Sequence, residues 1–263
     1  MADPKLRTYE LSDGILYGPV QSRRMGVSLG LNILPAGIKL CSFNCIYCQC
    51  GWSTRRVDEE ALARHRFPPA REVAEALSAR LAEFRAAGEK LDSITFSGNG
   101  EPTLHPDFLG VVKAVLEVRD RAMPGTRVDI LSNSAHLGRP GVIEGLNLLD
   151  ERHMKLDAGR EEGLRGMNLP LVEVRIEDLI RDLGRLRDFH LQAMFARGRW
   201  DNTGPEDVAA WIEVVRRLKP KAVHLYSVDR APADAGVLGV DRARLEEIAR
   251  RVEERAGVPA KVY

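Results

Sequence analysis

The sequence predicts an α/β fold, a partial (β/α)6 TIM-type barrel with parallel strands. Apolar, β-rich runs alternate with amphipathic helical stretches along the 263 residues. A repeated strand–helix unit implies a parallel sheet with right-handed crossovers. Six such units fit this length, short of the eight that close a full barrel. The chemically loaded residues also fall just after the predicted strands, where parallel sheets gather their active groups.

The first predicted strand is residues 26–34 (GVSLGLNIL), which leads into a cysteine-rich loop. A helix is predicted over 70–87, with Val73, Leu77, Leu81 and Phe84 on one face, and Gly88 stops it. The second strand is 93–97 (SITFS), followed by a helix over 107–121. The third strand, 127–131, precedes a short helix at 141–148. The fourth strand is 152–156 (RHMKL), with a helix over 174–188 after it. The fifth is 190–195, and Thr203, Gly204 and Pro205 then supply a cap and an N1 proline to a helix ending near 218. The sixth is 222–226 (AVHLY), the last helix 241–256, and PAKVY forms a final edge strand. The organisation is one domain over 26–263 with residues 1–25 as an N-terminal extension.

Composition is that of an ordinary globular chain, 44% hydrophobic and 29% charged. No apolar run approaches the roughly 18–20 residues that span a bilayer, and MADPKLRTYE has no apolar export region. The expected compartment is the cytoplasm, with no membrane partner. A net charge of +1 gives no bulk attraction to nucleic acid. Arginines are interleaved with acids, as in RRVDEEALARHRF, the pattern of a solvated helix face.

Cys41, Cys45 and Cys48 lie in CSFNCIYCQC with CxxxCxxC spacing, and Tyr47 directly precedes the third cysteine. Iron–sulfur clusters are normally held by four thiolates. Three on one loop hold three irons of a four-iron cubane and leave the fourth open, as a catalytic metal site leaves a coordination position open. A zinc knuckle using Cys50 is the competing reading. Structural zinc sites, however, draw ligand pairs from separated segments, and here all four cysteines fall within ten residues. Clustered thiols without an export signal argue against disulfides.

After the second strand come Ser97, Gly98, Asn99, Gly100 and Glu101, then Pro102. The glycines let backbone approach a ligand closely, and proline stiffens the exit. A plain strand–helix turn is the alternative. Ser132, Asn133 and Ser134 end the third strand and either meet a ligand or cap the next helix. Lys155 and Asp157 share one side of the fourth strand's end, as ligand groups or as a buried ion pair. Gln192 and Met194 share one side of the fifth, with Gln192 the candidate hydrogen-bonding group and Met194 core. Arg197 and Gly198 follow that strand. Tyr226, Ser227, Asp229 and Arg230 follow the sixth as candidate substrate-side groups. Arg23 and Arg24 either bind an anion or form a surface pair. His105 lies near Glu101, while His153, His190 and His224 sit on strands; none has metal-ligand spacing.

Taken together, YGPVQSRRMG, CSFNCIYCQCG, TFSGNGEPTLHP, MKLDAG and LYSVDRAPA resemble the radical S-adenosylmethionine (SAM) superfamily. Within it they resemble the single-domain subgroup related to the wyosine tRNA-modifying synthase. The resemblance implies a [4Fe–4S] cluster on Cys41, Cys45 and Cys48, with SAM chelating the open iron. It likens the 97–101 loop to the GGE-type motif that binds the SAM amino group, with Glu101 as acceptor, and places Asp157 at the SAM ribose. One electron, from a donor such as flavodoxin or ferredoxin, cleaves SAM to a 5′-deoxyadenosyl radical that abstracts hydrogen from the substrate. The cofactor-binding set expected is Tyr47, Ser97, Gly98, Asn99, Gly100, Glu101, Asn133, Lys155, Asp157 and Gln192. One departure matters: wyosine enzymes carry a second cluster on three further N-terminal cysteines, and this chain has no cysteine before Cys41 or after Cys50. The expected function is a radical SAM enzyme acting on an unidentified substrate. The alternatives are a tRNA-base modifier, a glycyl-radical activase and a non-catalytic metal-binding protein.

Overall fold

The computed structural model describes residues 10–54 and 57–263. Its centre is an eight-stranded sheet. In chain order the strands are β1 (Leu16–Ser22), β2 (Gly26–Leu31), β3 (Ser93–Phe96), β4 (Arg127–Ser132), β5 (Glu151–Lys155), β6 (His190–Met194), β7 (Arg197–Gly198), β8 (Ala222–Tyr226), β9 (Val237–Leu238) and β10 (Ala260–Val262). The sheet runs β1-β2-β3-β4-β5-β6-β8-β10, while β7 and β9 form a separate ribbon. Every pairing in the sheet is parallel except β1 with β2. The expected partial barrel is therefore present, with the PAKVY segment as its last edge strand. Residues 16–22 of the N-terminal extension add an antiparallel strand at the opposite edge.

The helices are α1 (Glu59–Ala63), α2 (Ala70–Ala87), α3 (Phe108–Ala122), α4 (Val142–Leu148), α5 (Glu161–Gly163), α6 (Ile176–Leu183), α7 (Pro205–Leu218) and α8 (Arg242–Ala256). Local chemistry sets their ends. Gly88 closes α2 in the left-handed conformation. Asp107 and Asp241 cap α3 and α8 through their carboxylates. Gly204, not Thr203, caps α7, with Pro205 at its first turn. Helix α6 is shorter than the periodicity predicts because the chain turns at Gly184.

Side chains alternate across each strand. One face is apolar and buried under the helices, with Leu29, Ile94, Val128, Met154, Leu191 and Val223 among its residues. The concave face carries Ser28, Thr95, Asp129, His153, Gln192 and His224, all buried and polar. Strand β2 stops at Leu31 rather than 34; beyond it the Asn32 backbone N–H donates to Ile15 O while its side-chain oxygen accepts from the Asn99 N–H.

Among the described residues, no helix is long and apolar enough to cross a membrane.

Candidate functional site

The loop after β2 carries all four cysteines, and three sets of contacts hold it. At its base, the Asn44 side chain and the Ser53 backbone exchange two hydrogen bonds, at 3.2 and 2.6 Å. On one flank Leu40 and the 98–101 loop exchange backbone bonds: Leu40 N to Asn99 O at 2.8 Å and Glu101 N to Leu40 O at 3.1 Å. Gly100 sits at φ +139°, and a Cβ there would lie 1.8 Å from the Leu40 carbonyl oxygen. Only glycine fits this seam. On the other flank, Leu171 N donates to Ser42 O, Asn44 N to Asn168 O and Ile46 N to Met167 O. That partner segment runs from the end of a π-helical turn, Leu164–Asn168, into the residues after it, and the turn has no signal in the sequence.

Cys41, Cys45 and Cys48 open onto one cleft of about 390 Å³, shared with Tyr47, Gly98, Gly100, Glu101, Asn133, Lys155 and Gln192. Two side-chain amides donate to the sulfurs. Asn133 Nδ2 lies 3.5 Å from Cys41 Sγ, and Asn168 Nδ2 lies 3.3 Å from Cys45 Sγ. Burial pushes the Cys41 thiol up to about 12 and raises that of Cys45. Cys48 is instead lowered to about 5, by a hydrogen bond from Cys50 and by the Lys39 ammonium. Cys50 also reaches the Gly98 carbonyl at 3.9 Å.

Among the described residues no three His, Cys, Asp or Glu side chains converge as a single ion requires. A cubane asks instead for three thiols on three separate irons, and N–H donors at cluster sulfurs are among the groups that tune such clusters. The donor set fits an iron–sulfur cluster.

The remaining predicted residues divide. Gln192 faces the cleft, 6% exposed, and its Nε2 has no acceptor. Lys155 lies 4.7 Å over the Tyr47 ring and 3.9 Å from Asp157. Glu101 lines the cleft, but the chain already occupies both carboxylate oxygens. Oε1 accepts from the Thr103 N–H, the Thr103 hydroxyl and Ser132 Oγ at 3.1, 2.6 and 2.9 Å, and Oε2 accepts from Asn133 N at 2.6 Å. Burial nevertheless raises its proton affinity.

Three of the residues expected to meet the cofactor bond to other parts of the chain. Asp157 does not open onto the cleft. Its carboxylate accepts from the Tyr47 hydroxyl, from Asn168 Nδ2 at 2.7 Å and from Met194 N at 2.8 Å. These bonds tie its carboxylate to the cysteine loop, the Asn168 turn and the end of β6. Asn99 is buried and turned away, since its side chain brackets Ser12 and donates to Pro35 O at 3.2 Å. Ser97 bonds the Tyr17 hydroxyl at 2.6 Å and faces an adjoining recess. Sequence reasoning also missed Asn168, which joins Cys45, Tyr47 and Asp157. An asparagine in a stretch without periodicity carries no pattern that would reveal it.

Residues 38–188 match the family described as the radical SAM superfamily. Among curated relatives, a GTPase Obg of Brachyspira hyodysenteriae is 25% identical over 94% of this chain and 35% of that protein. A UPF0026 protein of Methanocaldococcus jannaschii is 28% identical over 84% of this chain and 65% of that protein. Another, from Synechocystis, is 27% identical over 94% of this chain and 95% of that protein. The chain thus spans about a third and just under two thirds of the length of the first two. A radical SAM methyltransferase from Sphaerobacter thermophilus shares the fold, with a TM-score of 0.65 and 17% identity over 90% of this chain and 65% of that one. The fold is an α/β partial barrel whose cysteine loop and glycine loop meet at the strand ends. The chain belongs to the radical SAM superfamily.

Proposed function

We propose that Cys41, Cys45 and Cys48 hold a [4Fe–4S] cluster and that the chain cleaves SAM reductively to act on a hydrogen-bearing substrate in the same cleft. One observation carries this reading: the three cysteines open onto one cleft with the backbone of Gly98 and Gly100. A cluster held by Cys41, Cys45 and Cys48 would supply one-electron reduction of a SAM sulfonium, the electron coming from an external donor, and so hydrogen abstraction from a substrate held in the same cleft.

The chain's own residues prepare the site. The Leu40–Gly100 seam fixes the distance between cysteine loop and glycine loop. Asn133 and Asn168 offer N–H groups to two sulfurs. Asp157 and Lys155 clamp Tyr47 from hydroxyl and ring face. Glu101 aligns the end of β4 by accepting from Ser132 and Asn133. Gln192 presents a buried donor that a ligand acceptor in the cleft would satisfy.

The test is 5′-deoxyadenosine formation from SAM by anaerobically reconstituted protein with a strong reductant. Product that disappears in the triple Cys41→Ala, Cys45→Ala, Cys48→Ala variant supports the reading. Product that survives in that variant, or wild-type protein that takes up zinc in place of iron, overturns it.

A further inference from the structure

We propose that the substrate carries an anionic group, a phosphate or a carboxylate, and that Arg24 and Arg230 bind it at the outer lip of the cleft. The proposal rests on the radical reading only in calling that anion part of the substrate.

The arginines come from opposite halves of the sheet. Arg23 and Arg24 form the tip of the β1–β2 hairpin, and Arg230 follows β8. The tip reaches across the open side of the partial barrel. Arg24 Nη1 donates to the Tyr226 hydroxyl at 2.6 Å, and Arg23 pairs with Asp229 at 2.8 Å. This bridge borders both the cysteine cleft and an adjoining recess of about 570 Å³.

Charge accounting separates two of the cations from the rest. Lys39 and Lys155 serve the cysteine loop, bonding Gly51 O and covering Tyr47. Arg23 is neutralised by Asp229. Glu101 is spent on chain donors. Among the described residues, the partners of Arg24 and Arg230 are neutral: the Tyr226 phenol and its ring face, and Gln49 Oε1 at 2.8 Å. Two guanidiniums without carboxylates thus face one cleft of a chain whose net charge is only +1.

Geometry favours a planar or tetrahedral oxyanion. A guanidinium has five N–H donors in a fixed fork that matches carboxylate and phosphate. The Arg24 guanidinium lies 4.6 Å over the Tyr226 ring, and Tyr226 stacks on Tyr263 at 5.6 Å. The aromatic pair fixes the guanidinium plane and offers an apolar wall to the body of the ligand.

The test uses anaerobically reconstituted holoprotein saturated with SAM and without reductant, titrated calorimetrically with inorganic phosphate and, separately, with acetate. Saturable binding that weakens about tenfold or more in Arg24→Gln and in Arg230→Gln, with Arg24→Lys intermediate, is expected. Tighter phosphate than acetate assigns a phosphate substrate, and the reverse a carboxylate. Arg230 is exposed, so its variant serves where Arg24→Gln disturbs folding. The proposal falls if wild type shows no saturable binding or if both glutamine variants bind as wild type does. It also falls if the anion binds only without SAM, since the arginines then serve the SAM carboxylate. Arginine-dependent binding by a protein that never cleaves SAM would keep the anion site and remove the radical reading.

Discussion

Asn168 and Cys45 are 123 residues apart in the chain, yet the Asn168 amide donates to the Cys45 sulfur at 3.3 Å. The same Nδ2 reaches Tyr47 Oη at 3.1 Å and Asp157 Oδ2 at 2.7 Å. One side chain therefore ties the π-helical turn, the cluster loop and the end of β5 into a single polar knot. Groups that orient metal ligands in this way typically contribute 10–100-fold to metal affinity. Asn168→Ala is expected to lower cluster retention by about that factor. Iron remaining after graded chelator challenge measures it, and retention equal to wild type would show that the contact does not support the cluster.

Gly100 tests the seam between the two site loops. Its φ of +139° is a conformation L side chains rarely adopt, and a Cβ there would meet the Leu40 carbonyl oxygen at 1.8 Å. Backbone strain and overpacking each cost about 1–3 kcal/mol. Gly100→Ala is therefore expected to destabilise by about 2–6 kcal/mol and to move cysteine loop and glycine loop apart. Thermal unfolding and iron content check this together. An unchanged melting midpoint would mean that the seam yields without cost.

The barrel and the shared cleft of the three cysteines were legible because their signals are local: alternation of strand and helix periodicity, and the spacing of Cys41, Cys45 and Cys48. Strand β1 was not, because Pro19 interrupts it, and proline sits in a sheet only at an edge or bulge. Asp157 shows a second kind of limit. Its position at the end of a strand was readable, but its engagement with Tyr47, Asn168 and Met194 depends on three separate segments. Asn99 is similar: a loop between two positive-φ glycines turns its side chain toward Ser12. Sequence spacing specifies which residues lie near a site; loop conformation decides which way they face.

Asp129 carries a pH signature. It is 1% exposed on the concave face, and its Arg127 partner stands off at 3.8 Å. Burial raises its carboxyl to about 7, helped by Glu151 and Asp150 and opposed by Arg127. The unfolded chain releases this proton near 3.8, the folded protein near 7. Between those values the folded state binds more protons, so stability falls as pH rises, with the full penalty above about 7. Asp129→Asn should stabilise by a few kcal/mol, roughly, at pH 8 and progressively less toward pH 4. Denaturant midpoints at the two ends of that range decide it; a gain independent of pH, or a loss at pH 8, would contradict the assignment.

His153 and His224 act with the opposite sign. Their rings lie 5.5 Å apart within a group that includes His190, and each leaves Nδ1 without a protein partner. Burial, then the neighbouring His190 and Arg24, lowers His153 to about 2 and His224 to about 3. The unfolded chain takes up protons at both as pH falls below 6.5, while the folded protein does not. Their contribution is present above pH 6.5 and is lost on acidification, at about 1.4 kcal/mol per pH unit for each fully neutral ring. The comparison is cleanest in the Asp129→Asn background, where the opposing carboxyl is gone. There, the further substitutions His153→Gln and His224→Gln should flatten the fall in stability between pH 6.5 and about 4.5. An unchanged slope would mean that these rings already carry protons in the folded barrel, and that its concave face is wetter than their burial implies.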